Sequence, residues 1–147
     1  MSESLETFIV VAQVFASVGM FGVIWTIQVV HYPLMKQVPE SAFKAYEAEH
    51  TARITFIVGP LMAVEGLCVL ALLAWPPDGI AWWLPWVGAI AEAVAIGTTA
   101  FVSAPLHGRL SEKRDPALLD RLVSTNWIRT AAWTARAIVG VAIFLSL

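Results

Sequence analysis

Residues 54–79 read ITFIVGPLMAVEGLCVLALLAWPPDG, an apolar run from Ile54 to Trp75 with a single charge, Glu65, closed by a short turn. A helix needs about 20 apolar residues to cross a bilayer, and Pro-Pro-Asp-Gly is tight enough to send the chain straight back. The stretch therefore predicts a membrane-spanning helix with an antiparallel neighbour. Three further runs are long and apolar enough to span, at roughly 7–30, 80–103 and 127–147. With 59% hydrophobic and only 14% charged residues and a mean hydropathy of +0.74, the chain lies far from the composition of soluble domains. The expected fold is all-α: an integral membrane up-down four-helix bundle, with residues 1–147 as a single domain.

The remaining segments are short. Lys36, Lys44 and Arg53 lie between or at the ends of the first two runs, and Arg109, Lys113, Arg114, Arg121 and Arg129 between or at the ends of the last two. MSESLE and PPDG carry no Lys or Arg. The positive-inside rule then predicts cytoplasmic longer loops and both termini outside. Trp75, Trp82, Trp83 and Trp86 cluster about the opposite turn, as an interfacial aromatic belt would. MSESLE lacks the basic leader of a cleavable signal, so the first helix is expected to be retained. Basic residues here report topology, and no nucleic-acid partner is expected. The single cysteine, Cys68, excludes an internal disulfide and a CxxC pair and reads as a small core residue. Helix one is expected to end near Pro33, Ser41 to cap a second helix that starts before the bilayer, Pro60 to kink it, and Asp115-Pro116 to open a helical lead-in to the fourth span.

Counted from the basic side, Glu65, Glu92 and Arg136 all lie about 10–12 residues deep, in one layer near the bilayer centre. A charge there costs at least about 2.5–3.5 kcal/mol on insertion scales, so the three should face inward and pair. They form either a bridge that fixes packing or, since two acids meet one base, a proton-exchanging site. At 100° per residue, Gln13, Ser17, Gln28 and His31 share one side of helix one, and Asn126, Arg129, Trp133 and Arg136 follow helical spacing on helix four. Each stripe runs toward the basic side.

All three histidines occur on that side. His31 closes helix one, His50 opens helix two and His107 closes helix three. Glu47 precedes His50 by one turn, in the Glu-x-x-His spacing that carboxylate-bridged metal bundles use twice and this chain uses once. His31, Glu47, His50 and His107 are thus candidate ligands for a transition metal, Fe, Zn or Mn. The alternative is three separate interfacial histidines bonded to headgroups or loops.

APLHGRL, with Pro105, His107 and Leu110, and NWIRTAAWTAR, with Asn126, Arg129 and Thr130, resemble the anthrone-oxygenase-like family of small bacterial four-helix membrane proteins. The resemblance implies a four-helix fold in the bacterial inner (cytoplasmic) membrane and raises oxidation of a polycyclic or other lipophilic substrate as the activity. Three readings follow. The first is an enzyme, oxidoreductase-like, acting on a lipophilic molecule that arrives from the bilayer. His31, His50, His107 and Arg129 would be its catalytic groups, and Gln28, Arg53, Asn126 and Trp133 its substrate contacts. The second is a proton-coupled carrier, a homo-oligomer because four helices enclose little space, with Glu65, Glu92 and Arg136 as its coupling cluster. The third is a helper subunit of a membrane complex. The enzyme reading is preferred, with membrane lipid and a lipophilic small molecule as partners.

Overall fold

The computed structural model describes residues 2–147. Four helices and no strands make up these residues: α1 (Glu3–Met35), α2 (Glu40–Ala74), α3 (Leu84–Glu112) and α4 (Pro116–Phe144). The first three are long and apolar enough to cross a membrane. At 1.5 Å per residue the 35 residues of α2 extend about 52 Å, well beyond the roughly 30 Å of a hydrocarbon core.

Consecutive helices run antiparallel, as their side-chain pairs show. Along α1 and α4, a Cβ on Gly140 would meet Ser17 and Gln13, Trp25 donates to Thr134, and Gln28 bonds Asn126. Between α2 and α3, Glu47 meets His107 and Gly66 faces Glu92. Large apolar side chains point outward on every helix, with Phe15 75%, Phe56 82% and Phe101 84% exposed, which is the arrangement expected where the surrounding medium is hydrocarbon. Trp75, Trp82, Trp83 and Trp86 are exposed around the turn between α2 and α3, where Gly79 takes the left-handed φ of +83° that closes the reversal.

α4 does not reach spanning hydropathy by itself, unlike the run expected at 127–147. Arg129, Arg136, Asn126 and Thr130 lower its hydropathy, and all four are buried against the other helices. Its polar face is therefore turned into the bundle, while Trp127, Ile128 and Ile138 stay exposed on its outer face.

Two boundaries differ from the sequence expectation for one shared reason. α1 continues through Pro33, and α3 continues through Pro105 to Glu112. A proline in an α-helix clashes with the carbonyl four residues earlier and leaves it without a donor. In both helices a wide π-type turn, Ile27–His31 or Thr99–Ser103, ends two residues before the proline and absorbs that conflict. α2 starts at Glu40, directly after Pro39, with no side-chain cap from Ser41, and it runs unbroken through Pro60. Asp115 does cap α4, accepting from the backbone N–H groups of Ala117 (2.8 Å) and Leu118 (3.3 Å). Arg114 is tied down, donating to the Lys36 carbonyl at 2.8 Å and lying over the Phe43 ring.

Candidate functional site

The two π turns and the start of α2 bring their polar residues to one end of the bundle, the end that carries the basic residues. His107 is the hub. Its Nδ1 lies 2.5 Å from Glu47 Oε1 and its Nε2 lies 3.0 Å from the Tyr32 hydroxyl. A carboxylate only accepts, so Nδ1 carries the proton and donates it; in the neutral ring Nε2 then accepts from Tyr32. The Arg129 guanidinium lines the same cavity as Tyr32, with no aligned hydrogen bond between the two. Arg129 in turn donates to Asn126 Oδ1 at 3.0 Å, Asn126 donates to Gln28 Oε1 at 2.7 Å, and Gln28 donates to the Val123 carbonyl at 3.2 Å. The chain of bonds therefore has one consistent direction: Arg129 is held from behind by Asn126 and Gln28, and Tyr32 points its proton at an imidazole oriented by a carboxylate.

The other two histidines complete a row of rings. His50 lies 5.4 Å from His107 and 4.3 Å from His31, centroid to centroid, and Tyr46 stacks on the far side of His31 at 6.0 Å. Tyr46 and His50 are one turn apart on α2, which sets both rings against the same stretch of α1. His31 Nε2 is buried and has no hydrogen-bond partner among the described residues. A cavity of about 380 Å³ opens beside this row, lined by Tyr32, His50, Thr99, Ser103, His107 and Arg129. That is within the size range of small-molecule sites.

The four side chains expected as metal ligands are thus neighbours but not a ligand shell. Both nitrogens of His107 are committed, one to Glu47 and one to Tyr32, and His31 and His50 stack face to face at 27° instead of aiming their lone pairs at one point. No group of three His, Cys, Asp or Glu among the described residues is placed to hold a metal ion. The geometry therefore offers no ready ligand shell at His31, Glu47, His50 and His107.

Of the expected substrate contacts, Gln28 and Asn126 are buried behind Arg129, and Arg53 sits on the outer flank of α2, paired with exposed Glu49. Trp133 is fully buried with Met20, Ile24 and Ala95 in an apolar layer and lines neither this cavity nor the outer groove described below. Beyond that layer lie Glu65, Glu92 and Arg136, all within 3% of complete burial. Arg136 Nε is 2.7 Å from Glu65 Oε2 and 3.5 Å from Glu92 Oε2. These are charge contacts and not aligned hydrogen bonds, since none of the facing atoms meets a hydrogen-bond direction.

Tyr32, which the sequence analysis does not single out, is the residue that the structure adds to the candidate site. The available signal was the proline that follows it at a position where the apolar run continues. No protein-family model, curated protein or solved structure matches the chain.

Proposed function

We propose that this chain is a multi-pass protein of the bacterial inner membrane, with both termini outside, and that it carries out proton transfer on a lipophilic substrate at its cytoplasmic end. The observation that carries this reading is the string Glu47–His107–Tyr32, carboxylate, imidazole and phenol in hydrogen-bonding sequence, beside a cavity that Arg129 also lines. His107 Nε2 is the base. Tyr32 passes its hydroxyl proton to Nε2 and takes one from the substrate, the imidazolium so formed is held by Glu47, and negative charge developing on the substrate faces Arg129. Return of the proton to a second substrate atom completes an isomerisation with no change in net protonation. Gln28 and Asn126 are positioning residues that act through Arg129.

The test uses the full chain in lipid nanodiscs, incubated in D2O with a membrane-lipid extract and followed by mass spectrometry. The expected result is at least one lipophilic species that gains deuterium or shifts isomer. The rate should fall about 10²–10⁴-fold in His107→Ala, the usual range for a lost acid–base group, with Tyr32→Phe and Glu47→Gln impaired in the same direction. No species changed by the wild-type protein would overturn the reading. Topology is tested separately in a Cys68→Ala background. An impermeant thiol reagent applied to intact cells should label Ser2→Cys and leave exposed Lys113→Cys untouched, and the reverse would invert the orientation.

The carrier reading is favoured by one observation, the second carboxyl in the Arg136 layer. Proton-coupled uptake of a lipophilic cation that is lost in Glu65→Gln and kept in His107→Ala would move the function there.

A further inference from the structure

A groove of about 700 Å³ runs along the flank of the bundle between α1 and α2. Its far end is apolar, between Val18 and Ile57, and its floor is formed by Gly19 and Gly22. A Cβ at Gly22 would meet nothing within 4 Å, and one at Gly19 would touch only the Leu61 side chain at 3.4–3.5 Å. Its near end is polar, with His31, Tyr46, Glu49, His50 and Arg53. From Val18 to His31 the groove follows α1 for about 20 Å. Ile27, His50 and Ile54 line both this groove and the smaller cavity beside His107, so the two are continuous across the His50 ring.

We propose that this groove binds a long-chain carboxylic acid, its single hydrocarbon chain along Gly19 and Gly22 and its carboxylate at His31, His50 and Arg53. This deepens the proposed function and rests on it, naming the substrate class of that site. A long, narrow trough with polar groups at one end alone matches one extended chain with one head; a compact polycycle would leave most of its length unfilled. The charge of the head follows from which groups are free. Glu47 is committed to His107 and Glu49 to Arg53, so a cationic head finds no unengaged acid. An anionic head finds the unpartnered His31 Nε2, the His50 ring, and the Nη groups of Arg53, which meets Glu49 through Nε alone. A two-chain phospholipid, by contrast, would hold its phosphate outside, level with Arg53, and leave a second chain with no trough to occupy.

The test is photolabelling of the nanodisc-embedded protein with a sixteen-carbon fatty acid carrying a mid-chain diazirine, mapped by peptide mass spectrometry. Labelling is expected to concentrate on residues 18–27 and 54–57. Unlabelled palmitic acid should compete for it, and the neutral alcohol of the same length should compete about tenfold more weakly. Gly22→Trp, at a position where an added Cβ meets nothing within 4 Å, should abolish this labelling, and Ile57→Trp provides the same block from α2 if the first variant fails to fold. Arg53→Ala should erase the preference for acid over alcohol. Labels spread evenly over outward faces such as Phe8 and Phe101, or equal competition by a phospholipid bearing the same chain, would show bulk lipid only and overturn the proposal. Binding is read here without turnover, so the two readings fail separately. In the wild-type protein, intact labelling without proton exchange defeats the acid–base reading, and exchange without groove labelling defeats this one.

Discussion

Glu47 and Glu65 are both fully buried carboxylates on α2, and each faces one basic side chain on another helix. They differ in what surrounds the pair. Glu47 meets an imidazole whose other nitrogen continues to a phenol, an arginine and an open cavity. Glu65 meets a guanidinium already shared with Glu92, and neither described cavity reaches it. The apolar layer of Met20, Ile24, Ala95, Ala132 and Trp133 separates the two levels. The same chemical ingredients therefore stand sealed in one place and beside an open cavity in the other. The deciding factor is whether a ligand can arrive.

The sharpest way to break this contrast is at Arg136. Arg136→Ala leaves two carboxyls buried without a cation and should cost about 3–5 kcal/mol, read as a large drop in melting temperature, while Lys113→Ala on the surface should change little. Equal effects would mean that the deep layer is wet and not structural. Trp133→Ala tests the partition itself. It should also cost about 3–5 kcal/mol as a cavity in the apolar layer, and it should speed hydrogen exchange at backbone amides around Arg136. Unchanged exchange would show that the layer does not keep water out.

Smaller effects sharpen the picture of the site. Asn126→Ala removes the group that holds Arg129 and leaves buried donors unmet, for a cost of about 1–3 kcal/mol. Its signature is a fall in proton-exchange rate with groove labelling unchanged; loss of labelling in this variant would place Asn126 on the ligand. The smallest contrast compares two glycines. In Gly140→Ala the new methyl would meet Ser17 Oγ at 2.9 Å and Gln13 Nε2 at 3.0 Å, whereas at Gly22 it meets nothing. The first should destabilise by about 1–3 kcal/mol, and Gly22→Ala should stabilise by up to about 1 kcal/mol through helix propensity. Two destabilised variants would mean that the α1–α2 groove is filled by packing not seen in the fold.

The helices and the depth of the charged layer were legible because hydropathy and the cost of a buried charge act on composition and chain distance, both of which a sequence carries directly. The juxtaposition of His31, His50 and His107 followed from chain reversal alone, since each stands where a helix reaches the same end. The orientations did not follow. Gln13 and His31 were placed on one azimuth by counting 100° per residue, yet Gln13 is fully buried and His31 lines the outer groove. The count passes through Ile27–His31, where the wide turn advances the chain by fewer degrees per residue. How the histidines are engaged was not legible for a related reason: residue type and helix end were readable, but the commitment of both His107 nitrogens depends on Tyr32, which the same turn swings inward.

The two wide turns also bear on how this chain tolerates insertions and deletions. Each can be regarded as one residue added to an otherwise regular helix, and removing one residue restores a regular path while rotating everything after it by about 100°. Deleting Val30 would carry Tyr32 off His107, and deleting Val102 would carry His107 off both partners, with hydropathy and length almost untouched. An outer surface that accepts nearly any apolar residue thus encloses a site that depends on two counts, from Ile27 to Pro33 and from Thr99 to Pro105. Sequence drift on the lipid side leaves those counts alone; a single-codon deletion does not.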